Sequence, residues 1–567
     1  MMINTSRGEY HLTVRDGWYM IIVLIIYGIL SFFHLGSMES PQTFWQAEHA
    51  EQQVILDLGQ ETEVSYLREL SGARFGDYQI AISSDNINYS EVGKLEQKKV
   101  FAWEDMQIDQ SFRYLSITRG EKSGAIGEVA LYDKEGNKLP ILGLDEVSQL
   151  LVDEQETVPN EISYMNTTYF DEIYHARTAY EYIHGMDIYE WTHPPLGKLI
   201  MTIPIRLLGM TPFAYRVMGN IAGLLMLIVI FIFAKRMFKR TNYALLAMIT
   251  FAADGMHFVQ TRIGTVDSYL VLFIMLAYLF MYQYICCDSD RDVGKMHFNL
   301  LLSGVFMGCA IATKWNGAYT AVGLALLFFI NFFNRNSRMG FSSKWRNHRV
   351  RIILGCFAYF IFIPAVIYIV SYIPDMKINS EVGSIKGFWE LQMKMYHYHA
   401  DLEATHPFSS PWYLWPIGVK PLWYYDGKVA EGMVSSITLH CNPFIWWTGI
   451  IAMIYHFIKA ITDRSKSYVF LSIGILAAYV PYIGVPRIMF IYHYFPVVPL
   501  MILAIVGTIK DIEENLQQTS WWKWYAVIAV VVFLFFYPIY SGFLIPAWYA
   551  RLTEWFPAWQ LSNVRYM

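Results

Sequence analysis

The stretch from Asn166 to Ile200 reads NTTYFDEIYHARTAYEYIHGMDIYEWTHPPLGKLI and gathers unlike chemistries in a chain that is mostly apolar. Asp171 and Glu172 stand near its start. A carboxylate there can take the proton of a hydroxyl as that hydroxyl attacks, or its hard oxygens can hold a divalent cation such as Mg2+ or Mn2+. The plainer alternative is that an acidic pair favours the first turn of a helix. Further on, His193 and Lys198 flank Pro194 and Pro195. The fixed φ of the prolines would hold imidazole and ammonium at one place, where a cation suits an anionic head group. Interfacial anchoring by Lys198 and Trp191 is the competing reading.

Single cations recur at the ends of later apolar runs: Arg216 in PFAYRVMGN, Arg262 in HFVQTRIGTVDSYL, Lys314 in ATKWNGAY and Arg487 in VPRIMFIYHYFP. A cation within a span is costly and so points to function, and the planar fork of Arg matches phosphate oxygens. Together these residues would line a pocket for a phosphate or diphosphate, although each alone could snorkel to the interface. Asp254 and Asp267 lie at the same boundary and could each pair with Arg216 or Arg262 and fix its orientation, or serve in catalysis. The segment MYHYHADLEATHPFSSPWYLWP holds His397, His399, Asp401, Glu403 and His406, but such spacing in a loop does not define a metal site. Aromatic packing around Trp412, Trp415, Trp423 and Tyr424 is the expected use of this segment.

The elements that must position these residues are mainly membrane helices. Hydrophobic residues make up 55% of the chain, aromatics 17% and charged residues only 16%, with a mean hydropathy of +0.29. That composition indicates a mainly α, polytopic membrane protein. A net charge of -5 gives no reason to expect a nucleic-acid partner, and the five scattered cysteines form neither a disulfide framework nor a zinc pattern. The run Trp18–Phe33 lacks a small-residue cleavage site and reads as a retained span. Apolar runs follow near 213–234, 241–258, 267–285, 298–313, 317–333, 351–373, 443–459, 468–485, 490–509 and 523–540. With the first, that makes about eleven transmembrane helices, each crossing roughly 30 Å of hydrocarbon at about 1.5 Å per residue.

Basic residues fill three loops: Lys235, Arg236, Lys239 and Arg240 in one, Arg335 to Arg351 in another, and Lys459, Arg464 and Lys466 in a third. By the positive-inside bias all three are cytoplasmic, which puts the N-terminus inside and the C-terminus outside. The resulting map has a cytoplasmic segment and first span at 1–40, an extracellular β-sandwich at 41–145 and an outer loop at 146–212. A transmembrane core at 213–540, carrying a second outer loop at 374–440, and an extracellular tail at 541–567 complete it. The β assignment rests on short alternating runs bounded by turn residues: QQVILDLG, DYQIAISSD, RYLSITRG and GEVALYD. This inserted block resembles discoidin-like, galactose-binding-like β-sandwiches, on VILDLGQETEVSYLREL, YQIAISSDNINYSEVG and FRYLSITRG with GEVALYD. The resemblance implies a jelly-roll core whose end loops could take a glycan; a packing or spacer module is the alternative.

YFDEIYHARTAY, HPPLGK, FAYRVMGN, TRIGTVDSYLVLF, GVFMGCAIATKWNGAY, HPFSSPWYLWP and RIMFIYHYFPVVP occur in this order. In that order they resemble the protein O-mannosyltransferases (glycosyltransferase family 39, GT-C fold), over most of residues 160–510. The resemblance implies inverting transfer of mannose from a polyprenyl or dolichyl phosphate to Ser or Thr of exported proteins, outside the membrane. It implies Asp171 as base with Glu172 as its partner, and donor phosphate or sugar binding by Arg216, Arg262, His193, Lys198, Lys314, Asp267, Arg487 and His493. Eukaryotic members carry a β-trefoil in a later outer loop. Residues 374–440 are too few for one, and the soluble domain sits in the first loop, which points to a bacterial branch. IYHAR follows the acidic pair in place of the eukaryotic His-Phe-Gly pattern, so His175 inherits no role.

Three rivals stand beside this reading. The same fold could pass a lipid-linked sugar to a lipid or cell-wall glycan. A transporter is disfavoured by the absence of an internal repeat and of polar residues at the bilayer midplane. A glycan sensor with the spans as anchor would need far fewer spans.

Overall fold

The computed structural model describes residues 12–287, 293–339, 343–427 and 429–560. The segments 1–11 and 561–567, parts of the expected cytoplasmic and extracellular tails, lie outside the described residues. The chain divides into two compact units: one of 34–190 with 198–218, the other of 1–33, 191–197 and 219–567.

The first unit is built on seven antiparallel strands: β1 (Gln53–Ser71), β2 (Asp77–Ser83), β3 (Ser90–Glu96), β4 (Trp103–Arg119), β5 (Ile126–Tyr132), β6 (Lys138–Leu139) and β7 (Leu142–Gly143). Their order is β3-β2-β4-β1-β5-β6, with β7 also on β1. β1 and β4 run 19 and 17 residues, far beyond an ordinary strand of about 5–6, and bulges between Asp57 and Thr62 and between Val64 and Tyr66 interrupt their pairing. A bulge bends a strand and sharpens its twist, so each long strand serves two layers. The first half of β1 meets β7 at Leu56 and Asp57, and the second half meets β5 from Tyr66 to Ser71. Val54, Leu56 and Leu58 point inward at every second position, as the alternating sequence requires. They join Leu67, Ile80, Leu115, Ile117, Val129 and Leu131 in one core.

After the strands come the helices Glu172–His184 and Leu196–Leu208. The first ends at Gly185, whose φ of 64° lets the chain turn where a Cβ would be strained.

The second unit is helical, in agreement with the expected fold class. Among the described residues of the whole chain, ten helices are long and apolar enough to cross a membrane, from Val14–Phe32 to Trp521–Ser541. The expected span at 241–258 is the exception. It breaks into Thr241–Ala252 and Gly255–Thr261 because Asp254, in extended backbone, accepts a hydrogen bond from His257 N at 3.0 Å and starts a new helix. Residues 374–440 are not merely an aromatic loop. They form the helix Ile385–Ala400 and two strands, β8 (Leu422–Asp426) and β9 (Met433–Leu439), and β10 (Leu544–Pro546) joins β9 as a third.

Candidate functional site

In the first unit, the acidic pair separates at a helix start. Asp171 is the residue before the first turn, and its carboxylate does not cap the helix. It is partly exposed, whereas Glu172 is fully buried. Adjacent positions at a helix start point in different directions, so the two carboxylates meet different surroundings. Glu172 accepts from Arg216 Nε at 2.7 Å and Arg216 Nη2 at 2.8 Å, and from the backbone N–H of Tyr169 at 3.1 Å. Arg216 also donates from Nη1 to Leu35 O at 3.0 Å and Tyr164 O at 2.7 Å, and from Nη2 to Thr167 O at 3.0 Å.

A guanidinium has five N–H donors, and all of them are engaged, on a side chain that is 0% exposed and stacked over Tyr169. Contrary to the expectation, Arg216 has no N–H left for a phosphate. It binds the loop 164–172 and the end of the first span's connection into one piece. The pair Asp171–Glu172 likewise does not fit a divalent cation, because both Glu172 oxygens serve Arg216.

Lys198 follows the same pattern. Its ammonium is buried and donates to Glu190 Oε2 at 2.6 Å. Glu181 ties the intervening turn to the helix Glu172–His184: it accepts from Arg177 Nε at 2.8 Å, Thr178 Oγ1 at 3.1 Å and Tyr189 N at 2.8 Å. Glu190 was missed in the sequence, although it stands directly before the Trp-Thr-His-Pro-Pro turn that precedes Lys198.

In the second unit, Arg262 donates from Nε to Ser31 O at 3.0 Å and from Nη2 to Phe33 O at 2.9 Å. These are C-terminal carbonyls of the helix Val14–Phe32, orphan acceptors that attract a cation. Asp254 and Asp267 pair with neither arginine. Asp254 takes the indole N–H of Trp446 at 2.7 Å, and Asp267 takes Lys314 Nζ at 2.9 Å.

The remaining expected residues do gather. Lys314 lies 5.0 Å from the centroid of the Tyr492 ring, which stacks on His493 at 4.5 Å. His193 meets the ring of His399 at 5.4 Å, and Trp315 meets it at 6.1 Å. Arg487 Nη1 donates to His399 Nδ1. Burial, and then the charges of His193, Arg487 and Lys314, depress the His399 pKa to about 4. Lys314, Arg487 and the imidazoles of His193, His399 and His493 thus form one cluster, in which Asp267 is the acidic partner of Lys314. Sequence spacing offered His399 only as a metal candidate. The other candidates scatter, with His397 in an exposed pair with Asp401 at 3.5 Å. Among the described residues, the one carboxylate group close enough to share an ion is Glu128, Asp153 and Glu154 of the β domain. Glu154 Oε2 there already accepts from Gln42 N and Thr43 N.

Two family profiles match the chain: "Dolichyl-phosphate-mannose-protein mannosyltransferase" over 207–379, and "C-terminal four TMM region of protein-O-mannosyltransferase" over 384–559. The polyprenol-phosphate-mannose–protein mannosyltransferase of Mycolicibacterium smegmatis is 24% identical over 460 residues, 70% of this chain and 88% of its own. The enzyme of the same description from Corynebacterium glutamicum is 24% identical over 441 residues, 65% and 81% of the two chains. Among solved structures, the Saccharomyces cerevisiae protein O-mannosyltransferase Pmt1-Pmt2 complex bound to the sugar donor is similar with a TM-score of 0.63. That match is 14% identical and covers 70% of this chain and 90% of the other.

Proposed function

This chain belongs to the protein O-mannosyltransferase family, and from that premise we propose that it moves mannose from a polyprenyl phosphate to Ser or Thr hydroxyls of exported proteins. Asp171 takes the hydroxyl proton as the oxygen attacks the anomeric carbon. The bond from that carbon to the phosphate oxygen breaks, the configuration inverts, and polyprenyl phosphate leaves as an anion that needs no strong general acid. Lys314 and Arg487 hold that phosphate, with His193 and His493 beside it, because preorganised cations favour charge that develops in the transition state. Glu172, Arg216, Lys198 and Arg262 hold backbone in place. The N-terminus is cytoplasmic and the reaction runs on the outer face, where the β domain takes a glycan.

The observation that carries the reading is the division of labour inside the acidic pair. Glu172 is committed to Arg216 on both oxygens, and Asp171, one residue earlier, is partly exposed. The test uses purified full-length protein, radiolabelled polyprenyl-phosphate-mannose and a Ser/Thr-rich peptide, with and without a chelator. Label on the peptide with inverted configuration is expected in both arms. An unlabelled peptide, with the label passing instead to an envelope lipid or glycan added to the same mixture, would replace the acceptor and overturn the proposal.

A further inference from the structure

Arg487 makes a single hydrogen bond among the described residues, and it goes to an imidazole. A guanidinium only donates, so Nδ1 of His399 must be the acceptor and the ring must be neutral with its proton on Nε2. That proton has a partner: Nε2 lies 2.8 Å from the carbonyl oxygen of Thr192. The carbonyl immediately precedes His193, Pro194 and Pro195, and both prolines are buried, so the acceptor sits on backbone with little freedom. The relay joins points 207 and 88 residues apart in sequence.

The helix carrying His399 is itself held. On the face shared by Phe388, Gln392, Met395 and His399, Tyr368 donates to Gln392 Oε1 at 2.6 Å and Tyr372 meets Phe388 at 5.2 Å. The opposite stripe, Glu390, Lys394 and His397, is exposed. His399 is thus the inward tip of a docked helix. The groups facing its ring are His193, Arg487 and Lys314, with the Trp315 and Tyr398 rings. A second proton on the ring would set a cation among cations and remove the acceptor that Arg487 uses.

Resting on the donor-phosphate reading above, we infer that His399 is a positioning residue that fixes the guanidinium of Arg487 through Nδ1, so that its other N–H groups face the phosphate of the lipid donor. An unsupported arginine loses side-chain freedom when it binds; one already held loses less, and affinity for the donor gains accordingly.

The experiment measures kcat and donor KM on the full chain in detergent for wild type, His399→Ala, His399→Gln, Arg487→Ala and the double variant His399→Ala/Arg487→Ala, with thermal unfolding of each. His399→Ala is expected to raise the donor KM by about tenfold to a hundredfold, the scale of a hydrogen bond to a charged group, with kcat changed by less than about threefold. His399→Gln, which keeps one acceptor and one donor, is expected to recover part of the loss. In the Arg487→Ala background, His399→Ala is expected to add nothing. A wild-type KM in His399→Ala, or a full additional loss in the double variant, overturns the inference. Should His399→Ala not fold, His399→Phe fills the ring's space without either nitrogen and is read the same way. Absence of wild-type transfer from polyprenyl-phosphate-mannose would instead overturn the proposed function.

Discussion

Arg216 and Arg487 carry the same guanidinium, and each follows an apolar or proline-rich stretch, yet their surroundings differ. Arg216 has all five donors engaged, two on Glu172 and three on main-chain carbonyls, with no exposed surface. Arg487 is partly exposed and uses one donor, on His399. A saturated, dry arginine is a fastener: breaking its pair leaves a buried charge uncompensated. An arginine with most donors unengaged and one edge fixed keeps N–H groups for a further acceptor, which the proposal above takes to be the donor phosphate. In the acidic pair the contrast is one of burial, Glu172 being closed off on Arg216 and Asp171 partly exposed, while Lys198 and Lys314 are each paired with a carboxylate, Glu190 and Asp267.

The largest expected effect breaks the carboxylate half of this comparison. Asp171→Asn should lower the transfer rate by about 10²–10⁴, the usual contribution of a positioned base, with the unfolding temperature unchanged. Transfer at the wild-type rate would remove Asp171 from the chemistry. Next, Arg216→Ala should cost about 3–5 kcal/mol of stability, because Glu172 remains buried without its partner. Thermal unfolding or expression of folded protein reads this directly, and an unaltered melting temperature would mean that Arg216 is no fastener.

Arg487→Ala sharpens the contrast. It should shift stability by no more than about 0.5 kcal/mol, as partly exposed sites do, while raising the donor KM.

The remaining prediction concerns the β domain and stability alone. Burial raises the pKa of Glu69 to about 8, against the hydrogen bond from Gln97 that lowers it, and burial likewise raises Glu128 to about 8. Both carboxyls hold protons in the fold that they release in the unfolded chain above the usual carboxylate range, so the fold binds more protons than the unfolded chain between pH 4.5 and 8. Stability from these groups is therefore full below about pH 4.5 and lost as pH rises through about 8, by up to about 1.4 kcal/mol per pH unit for each group. Melting at pH 5 and pH 8 checks the sign. Glu69→Gln should flatten the slope without abolishing it, because Glu128 still titrates.

The membrane helices were legible because the bilayer is a uniform apolar solvent, and a run of sufficient length and apolarity reveals itself without knowledge of its neighbours. The strands were legible through alternation, since Val54, Leu56 and Leu58 must all face one core. The break at Asp254 was not, because the residues on both sides are equally apolar and only the carboxylate's bond to His257 N divides them. Nor was β10, which pairs Leu544 with Ser435 of β9 across a distance in sequence that no local pattern records. The identity of the cations was plain in the chain, but their use was not: Arg216 reads in sequence as well suited to a phosphate as Arg487.

The order of residues alone therefore determined which segments leave water and where acid, base and prolines stand, since these follow from composition and local period. Tertiary structure alone decided which charges are already neutralised. A donor count depends on carbonyls and carboxylates brought from other parts of the chain, such as Leu35 and Tyr164 around Arg216 or Thr192 behind His399.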